Sequence, residues 1–80
     1  MNKKLIINMI TEGRLIKANN FEEAYNFMKK RYLDFWDEEE WNEEYPFEQV
    51  KAEFDKDKCV GFCDGDAIMT LEEFLEICCE

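Results

Sequence analysis

This sequence contains no histidine and no serine, and it has one proline and three glycines among 80 residues. Without histidine and serine, the Ser-His and Cys-His nucleophilic arrangements cannot be built, and the commonest general base is missing. Carboxylates, lysines or a bound metal would have to carry any catalysis, and no catalytic or cofactor motif occurs in the chain. We therefore predict a protein that is not an enzyme and that uses no cofactor.

Long apolar runs and an export signal are also missing. Lys3 and Lys4 are followed only by Leu5–Ile7 before Asn8 interrupts. No stretch approaches the roughly 20 apolar residues that span a bilayer. We therefore expect a cytoplasmic protein without a membrane partner, whose four cysteines are reduced thiols.

The chain is long enough for one small domain, which we expect to span residues 1–80. Apolar residues make up 46% of the chain and aromatic residues 15%, which is typical of a folded protein. The net charge of −10 is unevenly placed. Residues 1–33 hold seven bases and three acids, whereas residues 34–80 hold three bases and seventeen acids. This excess of carboxylates argues against direct binding to nucleic acid and favours a basic protein partner.

The first third of the chain predicts a β-hairpin followed by a helix. Lys4–Ile10 and Arg14–Ala18 flank Gly13, which supplies the positive φ of a tight turn. A helix is the alternative for the first segment, because its apolar residues also fit helical spacing. Asn20 predicts an N-cap for a helix from about 21 to 36. Its apolar stripe is Phe21, Ala24, Tyr25, Met28, Tyr32, Phe35 and Trp36.

The segment Asp34–Glu48 carries eight carboxylates, no base and five aromatic residues. A purely acidic run would be disordered because like charges repel, but large aromatic rings favour burial. We predict an ordered segment with its rings inward and its carboxylates in water. The first helix should end within Asp37–Glu40, where carboxylates meet the negative end of the helix dipole. Trp41–Tyr45 should be a loop or a last irregular turn, because the residue before Pro46 disfavours helix.

The segment after Pro46 fits either a helix or a strand. Phe47, Val50 and Phe54 match a short helix with Pro46 at its first position. Val50, Ala52 and Phe54 also alternate with polar residues, as in a strand. We favour a strand at Gln49–Phe54, because the pattern that follows predicts two more strands.

Those two strands are Cys59–Phe62 and Ala67–Met69, joined by the turn dipeptide Asp64-Gly65. Thr70 and Glu73 then form a capping box, which predicts a helix over 71–79. The elements together predict an α+β domain in the order ββαβββα, an antiparallel sheet with two helices packed on one face. The expected core residues are Phe21, Tyr25, Met28, Tyr32, Phe54, Phe74 and Leu75.

Metal binding is not favoured by the spacing of the acids and cysteines. A twelve-residue calcium loop that starts at Asp55 has Val60 at the position of the required glycine, and one that ends at Glu73 has Ala67 there. Zinc knuckles use C-x2-C, whereas this chain has Cys59-x3-Cys63 and the adjacent pair Cys78-Cys79. We therefore expect no metal and treat the aspartates as solvated turn residues.

Trp41 lies in the acidic segment without a periodic apolar partner, so it allows two interpretations. Its ring plugs the end of the sheet, or it anchors an interface, where tryptophan is enriched.

The functional hypothesis rests on the density of the carboxylates. Acids at i, i+3 and i+4 of a helix lie about 5–6 Å apart, comparable with the charge spacing along nucleic acid. We hypothesise a non-enzymatic inhibitor or regulator that binds the basic nucleic-acid-binding surface of an enzyme such as a nuclease. The predicted partner-binding residues are Asp34, Asp37, Glu38, Glu39, Glu40, Trp41, Glu43, Glu44, Tyr45 and Glu48, assisted by Glu53, Asp55, Asp57, Asp64 and Asp66.

In size and charge the chain resembles the small acidic DNA-mimic proteins that phages and mobile elements use against restriction or CRISPR nucleases (anti-restriction and anti-CRISPR proteins). The resemblance covers no motif and defines no family. Three alternatives stay open: a solvated acidic face without a partner, an immunity- or adaptor-type protein for a basic partner, and a small metal-binding domain.

Overall fold

The computed structural model describes residues 6–10, 13–62 and 65–78, and within them the chain forms a four-stranded sheet and four helices. Its strands pair antiparallel in the order β2-β1-β4-β3. The predicted class, an α+β domain with an antiparallel sheet, is confirmed. The elements in chain order are β1 (Ile6–Ile10), β2 (Arg14–Ala18), α1 (Phe21–Tyr32), α2 (Glu38–Glu44), α3 (Phe47–Asp57), β3 (Cys59–Gly61), β4 (Ala67–Thr70) and α4 (Leu71–Cys78).

The N-terminal hairpin has the predicted register and turn. Ile6 lies opposite Ala18 and Ile10 opposite Arg14. Gly13 has a φ of +83° and its N–H donates to the Ile10 carbonyl at 2.8 Å. β1 is a central strand whose Ile6 and Ile7 are both buried although they point to opposite faces. Its apolar residues therefore do not alternate with polar ones, which explains why helical spacing fitted this segment too. Lys4 and Leu5 lie outside the described residues.

The second predicted hairpin is also present. Val60 of β3 lies opposite Ile68 of β4, and the Phe62 N–H donates to the Asp66 carbonyl at 2.7 Å. Gly65 has a φ of +81°, as the turn prediction required, whereas Asp64 lies outside the described residues. β4 continues directly into α4, where the Glu73 N–H donates to Thr70 Oγ1 at 3.2 Å. The predicted Thr70 cap is therefore confirmed.

Helix α1 begins as predicted but ends four residues early. Asn20 Oδ1 accepts from the Glu23 N–H at 2.9 Å, which caps its N-terminus. The helix stops at Tyr32, whose carbonyl accepts from the N–H groups of both Phe35 and Trp36. Tyr32 is buried, whereas Leu33, Asp34 and Phe35 are exposed, so the buried stripe of α1 ends with the helix.

Two predictions between Trp41 and Phe54 are wrong. Trp41–Tyr45 is neither a loop nor an irregular turn, because α2 runs to Glu44 and only Tyr45 of this stretch leaves the helical region, with φ −130° and ψ 62°. The effect of Pro46 on the preceding residue is thus confined to one position. Gln49–Phe54 is not a strand, because α3 follows Pro46 directly. Val50 and Phe54 are buried together at i and i+4, whereas Ala52 is exposed.

The sheet is covered on both faces. Asn8, on the face that carries Ile6, Val60 and Ile68, donates from Nδ2 to the Ala24 carbonyl of α1 at 3.0 Å. Met69 points to the other face and is buried, and α4 contacts β4 and β1 there. The helices therefore divide between two faces rather than sharing one.

The expected core is largely confirmed. Phe21, Tyr25, Met28, Tyr32 and Phe54 are buried, and Phe74 is half-buried. Leu75 is 48% exposed, so its assignment to the core is wrong. A single helix lying on a sheet buries only a narrow stripe, and Leu75 falls beside that stripe.

We expect Asn8→Asp to lower the free energy of unfolding by at least about 2 kcal/mol, because it removes the donor to Ala24 and buries a carboxylate against a carbonyl. Asn26→Asp is the matched control, since Asn26 is exposed on α1, and it should change stability by less than about 0.5 kcal/mol. Urea unfolding followed by circular dichroism measures both. Equal midpoints for the two variants would contradict this account of Asn8.

Candidate partner-binding surface

Helix α2 presents the acidic segment, and one residue fixes its orientation. Its sequence is EEEWNEE, and Trp41 is its buried residue, with 0% exposure. The five glutamates and Asn42 are all exposed. Because one side chain faces the core and the rest face water, the burial of Trp41 decides which way every carboxylate of α2 points.

Trp41 is held by hydrogen bonds as well as by packing. Its Nε1–H donates to the Tyr25 hydroxyl at 2.8 Å, and that hydroxyl donates to the Tyr45 carbonyl at 2.6 Å. Tyr25 belongs to α1, whereas Tyr45 is the residue that ends α2. The two bonds therefore tie both the middle and the end of α2 to α1.

Aromatic rings surround the Trp41 indole. The centroid distances from Trp41 lie between 5.0 and 6.3 Å, and the neighbouring rings are Tyr25, Tyr32, Trp36, Tyr45 and Phe62. The Phe62 ring is stacked on the indole, with 4° between their planes. Of the two interpretations of Trp41, the structure supports the plug, because a ring with no exposed surface cannot anchor an interface.

The acidic surface consists of eight carboxylates on the turn before α2, on α2 itself and at the start of α3. All eight are exposed: Asp34, Asp37, Glu38, Glu39, Glu40, Glu43, Glu44 and Glu48. On α2, Glu39 and Glu43 are one turn apart, as are Glu40 and Glu44, so each pair lies about 5–6 Å apart. The structure thus places the predicted acids in water. Tyr45, which was predicted to accompany them, is only half-exposed and packs on Trp41.

The helix dipole acts differently on the two ends of α2. Glu38, Glu39 and Glu40 lie in its first turn, where negative charge is favourable. The prediction that these acids meet the negative end of a long α1 is therefore wrong. Glu43 and Glu44 lie in the last turn, which holds no base. There they oppose the dipole and repel the glutamates one turn earlier.

Basic residues near the acidic surface are few among the described residues. Lys29 Nζ lies 3.4 Å from Glu38 Oε2, and Lys51 lies 3.1 Å from Asp55 on α3. Both pairs are exposed, so each contributes little to stability. Most of the negative charge is thus available to a partner.

Of the assisting acids, Asp66 differs most from the prediction. Glu53, Asp55 and Asp57 are exposed on α3 as expected, and Asp64 lies outside the described residues. Asp66 is 2% exposed, and its Oδ2 accepts from Arg31 Nε and from the Tyr32 hydroxyl, both at 3.1 Å. It is therefore a structural residue that joins α1 to the β3–β4 hairpin. Its partners lie more than thirty positions away, so no local pattern could have indicated its burial.

Phe35 is the surface residue that the sequence pattern missed. It was assigned to the buried stripe of a longer α1, yet it is 83% exposed in the turn between α1 and α2. The early end of α1 rotates Phe35 out of the stripe, while Trp36 packs against Tyr32 at 5.7 Å. No periodicity could reveal this, because the helical pattern continues through a turn that is not helical.

No metal centre is formed by the part of the chain that the structure describes. Within residues 6–10, 13–62 and 65–78, no group of three or more cysteine, aspartate or glutamate side chains could hold an ion. Cys59 is a free thiol. Burial, followed by the carboxylates of Glu73 and Asp57, raises the pKa of this thiol above its ordinary value. Cys59 is therefore protonated and weakly nucleophilic at neutral pH.

Comparison of the chain with protein-family models, with curated proteins and with solved structures gave no match. Among the described helices, none is long and apolar enough to cross a membrane. The site must therefore be interpreted from its own geometry.

Trp41→Ala should lower the free energy of unfolding by about 3–5 kcal/mol, because it empties the centre of the aromatic cluster. Phe35→Ala is the control from the same segment and should cost less than about 0.5 kcal/mol, because its ring is exposed. Both values come from urea titrations monitored by far-UV circular dichroism. If the Trp41→Ala protein were as stable as the Phe35→Ala protein, the claim that the buried Trp41 ring stabilises the fold would be wrong.

Removing charge from the two ends of α2 should affect stability unequally, because both variants relieve the same i, i+4 repulsion but change the interaction with the dipole in opposite senses. Glu43→Gln/Glu44→Gln should be more stable than Glu39→Gln/Glu40→Gln, with each charge contributing about 0.3–1 kcal/mol through the dipole at low ionic strength. Each variant removes two charges from the same helix, so the net charge is matched. Thermal melts at low and high salt test this, and the difference should shrink as salt screens the charges. Equal stabilities of the two variants would contradict the assigned orientation of the dipole.

Proposed function

We propose that this protein is a non-enzymatic inhibitor or regulator that binds the basic nucleic-acid-binding surface of an enzyme. The observation that carries the proposal is the acidic surface, presented by a helix whose buried face consists of Trp41 alone. Its carboxylates stand in for phosphates, and the expected partner is a nuclease or a related enzyme. Anti-restriction and anti-CRISPR proteins of phages act on such partners.

The energetics of α2 support a role for these acids beyond solubility. Glu43 and Glu44 oppose the helix dipole, and no base in the last turn compensates them. A fold that needed only a soluble surface could carry neutral or basic residues at these two positions and gain stability. Acids that reduce local stability are typical of a surface whose charge serves binding.

The rigidity of the support favours binding as well. The indole of Trp41 and the hydroxyl of Tyr25 hold α2 against α1, so the backbone positions from which its carboxylates project are fixed. A helix that is ordered before binding does not pay backbone ordering entropy when it docks. Its negative field attracts a basic cleft from a distance and raises the association rate, and salt weakens this attraction.

The test uses immobilised protein and a lysate of bacterial cells. A captured enzyme should elute with salt, should be displaced by a DNA or RNA oligonucleotide, and should be inhibited by the free protein. Both Glu39→Gln/Glu40→Gln and Glu43→Gln/Glu44→Gln should reduce the association rate, although they should differ in stability. Loss of binding that follows charge rather than stability identifies the acidic surface as the contact.

Glu72→Gln/Glu76→Gln is the matched control, because it removes two exposed charges from α4 on the other face of the sheet. It should bind and inhibit like the wild type. If all three double variants lose binding equally, only net charge matters and the proposed surface is wrong. A basic partner that nucleic acid does not displace would contradict mimicry and would favour an immunity- or adaptor-type role.

A further inference from the structure

Phe35 is the most exposed large apolar side chain in the part of the chain that the structure describes. Its exposure is 83%, compared with 48% for Leu15 and Leu75 and 37% for Leu33. An isolated exposed apolar residue is common on soluble proteins. Phe35 differs because it lies within the acidic surface, between the exposed carboxylates of Asp34 and Asp37.

The turn that carries Phe35 is fixed from both sides. The N–H groups of Phe35 and Trp36 donate to the Tyr32 carbonyl at 2.9 and 2.8 Å. The Trp36 ring lies 5.7 Å from Tyr32 and is stacked on Tyr45 at 5.8 Å. Because its neighbour is held in the aromatic cluster, Phe35 is presented to water by an ordered backbone rather than by a loose loop. A ligand that binds here does not have to order the turn first.

An exposed aromatic ring with exposed carboxylates close to it in the chain on both sides matches the chemistry of arginine. A guanidinium group stacks on an aromatic ring and at the same time donates two parallel hydrogen bonds to a carboxylate. A lysine ammonium is a compact, strongly hydrated charge that satisfies the carboxylate but gains less from the ring. The combination of Phe35 with Asp34 and Asp37 therefore selects arginine over lysine.

We propose that Phe35, Asp34 and Asp37 form an arginine-binding subsite, whose occupant is an arginine side chain of the protein partner. The inference rests on the proposed function, since it names one contact that the basic partner surface supplies. Within the acidic surface, the other carboxylates attract positive charge of either kind, whereas this subsite distinguishes arginine from lysine.

The test measures binding of the full chain to fluorescein-labelled octa-arginine and octa-lysine by anisotropy at low salt. The wild type should bind octa-arginine more tightly. Phe35→Ala and Phe35→Leu should reduce the ratio of the two affinities by about two- to fivefold, because octa-arginine binding weakens more than octa-lysine binding. Phe35→Tyr should keep the ratio, because it retains the ring. In NMR spectra, octa-arginine should shift the Phe35 ring protons.

Two control variants separate the effect of the Phe35 ring on peptide affinity from the effects of charge and of exposed apolar surface elsewhere. Glu39→Gln/Glu40→Gln should weaken both peptides by a similar factor and leave their ratio unchanged. Leu15→Ala, which removes an exposed apolar side chain from β2, should affect neither peptide.

The outcomes distinguish the subsite from the acidic surface as a whole. If both peptides bind and Phe35→Ala does not change the ratio of their affinities, the arginine subsite is overturned and the proposed function stands. A ratio that falls in Phe35→Ala but not in Phe35→Leu would show a purely apolar contact and would overturn the assignment to arginine. Binding of neither peptide at low salt would overturn both.

Discussion

The hydrogen bond from the Trp41 indole to the Tyr25 hydroxyl, within a shell of aromatic rings, is the interaction on which the acidic half of the protein depends. Helix α2 has seven residues and buries one of them. Isolated helices of this length are unstable in water, even without repulsion between like charges. Tertiary packing of a single large side chain therefore supplies the stability that the local sequence does not, and it does so without drawing any carboxylate into the core.

The same arrangement explains how a chain with a net charge of −10 folds. In α2 the aromatic side chain is buried and the carboxylates are exposed. The carboxylates therefore repel one another in water, where salt screens the repulsion. Asp66 is the fully buried acid among the described residues, and both Arg31 and Tyr32 donate to its carboxylate. That buried network joins α1 to the β3–β4 hairpin, while the indole joins α1 to α2. Helix α1 thus takes part in both links, while the Phe62 ring beside β3 stacks directly on the Trp41 indole.

Two errors of sequence interpretation have one physical origin. Periodicity indicates which residues could share a buried face, but it does not indicate where a helix ends or which element forms. The apolar stripe of α1 continues to Trp36 in sequence, yet the helix stops at Tyr32. The alternation of Val50, Ala52 and Phe54 with polar residues fitted a strand. The segment is instead a helix that begins directly after Pro46 and buries Val50 and Phe54 on one side. In both places a short pattern fitted two structures, and packing chose between them.

The sequence by itself determined the hairpins, the caps at Asn20 and Thr70, most of the core and the exposure of the acidic segment. These features follow from local rules: glycine permits a positive φ, short polar side chains cap helices, and charged groups stay in water. Only the tertiary structure decided that Trp41 is a plug, that Phe35 is exposed and that Asp66 is buried. Each of these depends on partners distant in the chain or on the point where a helix must end, because burial is a property of the whole assembled surface.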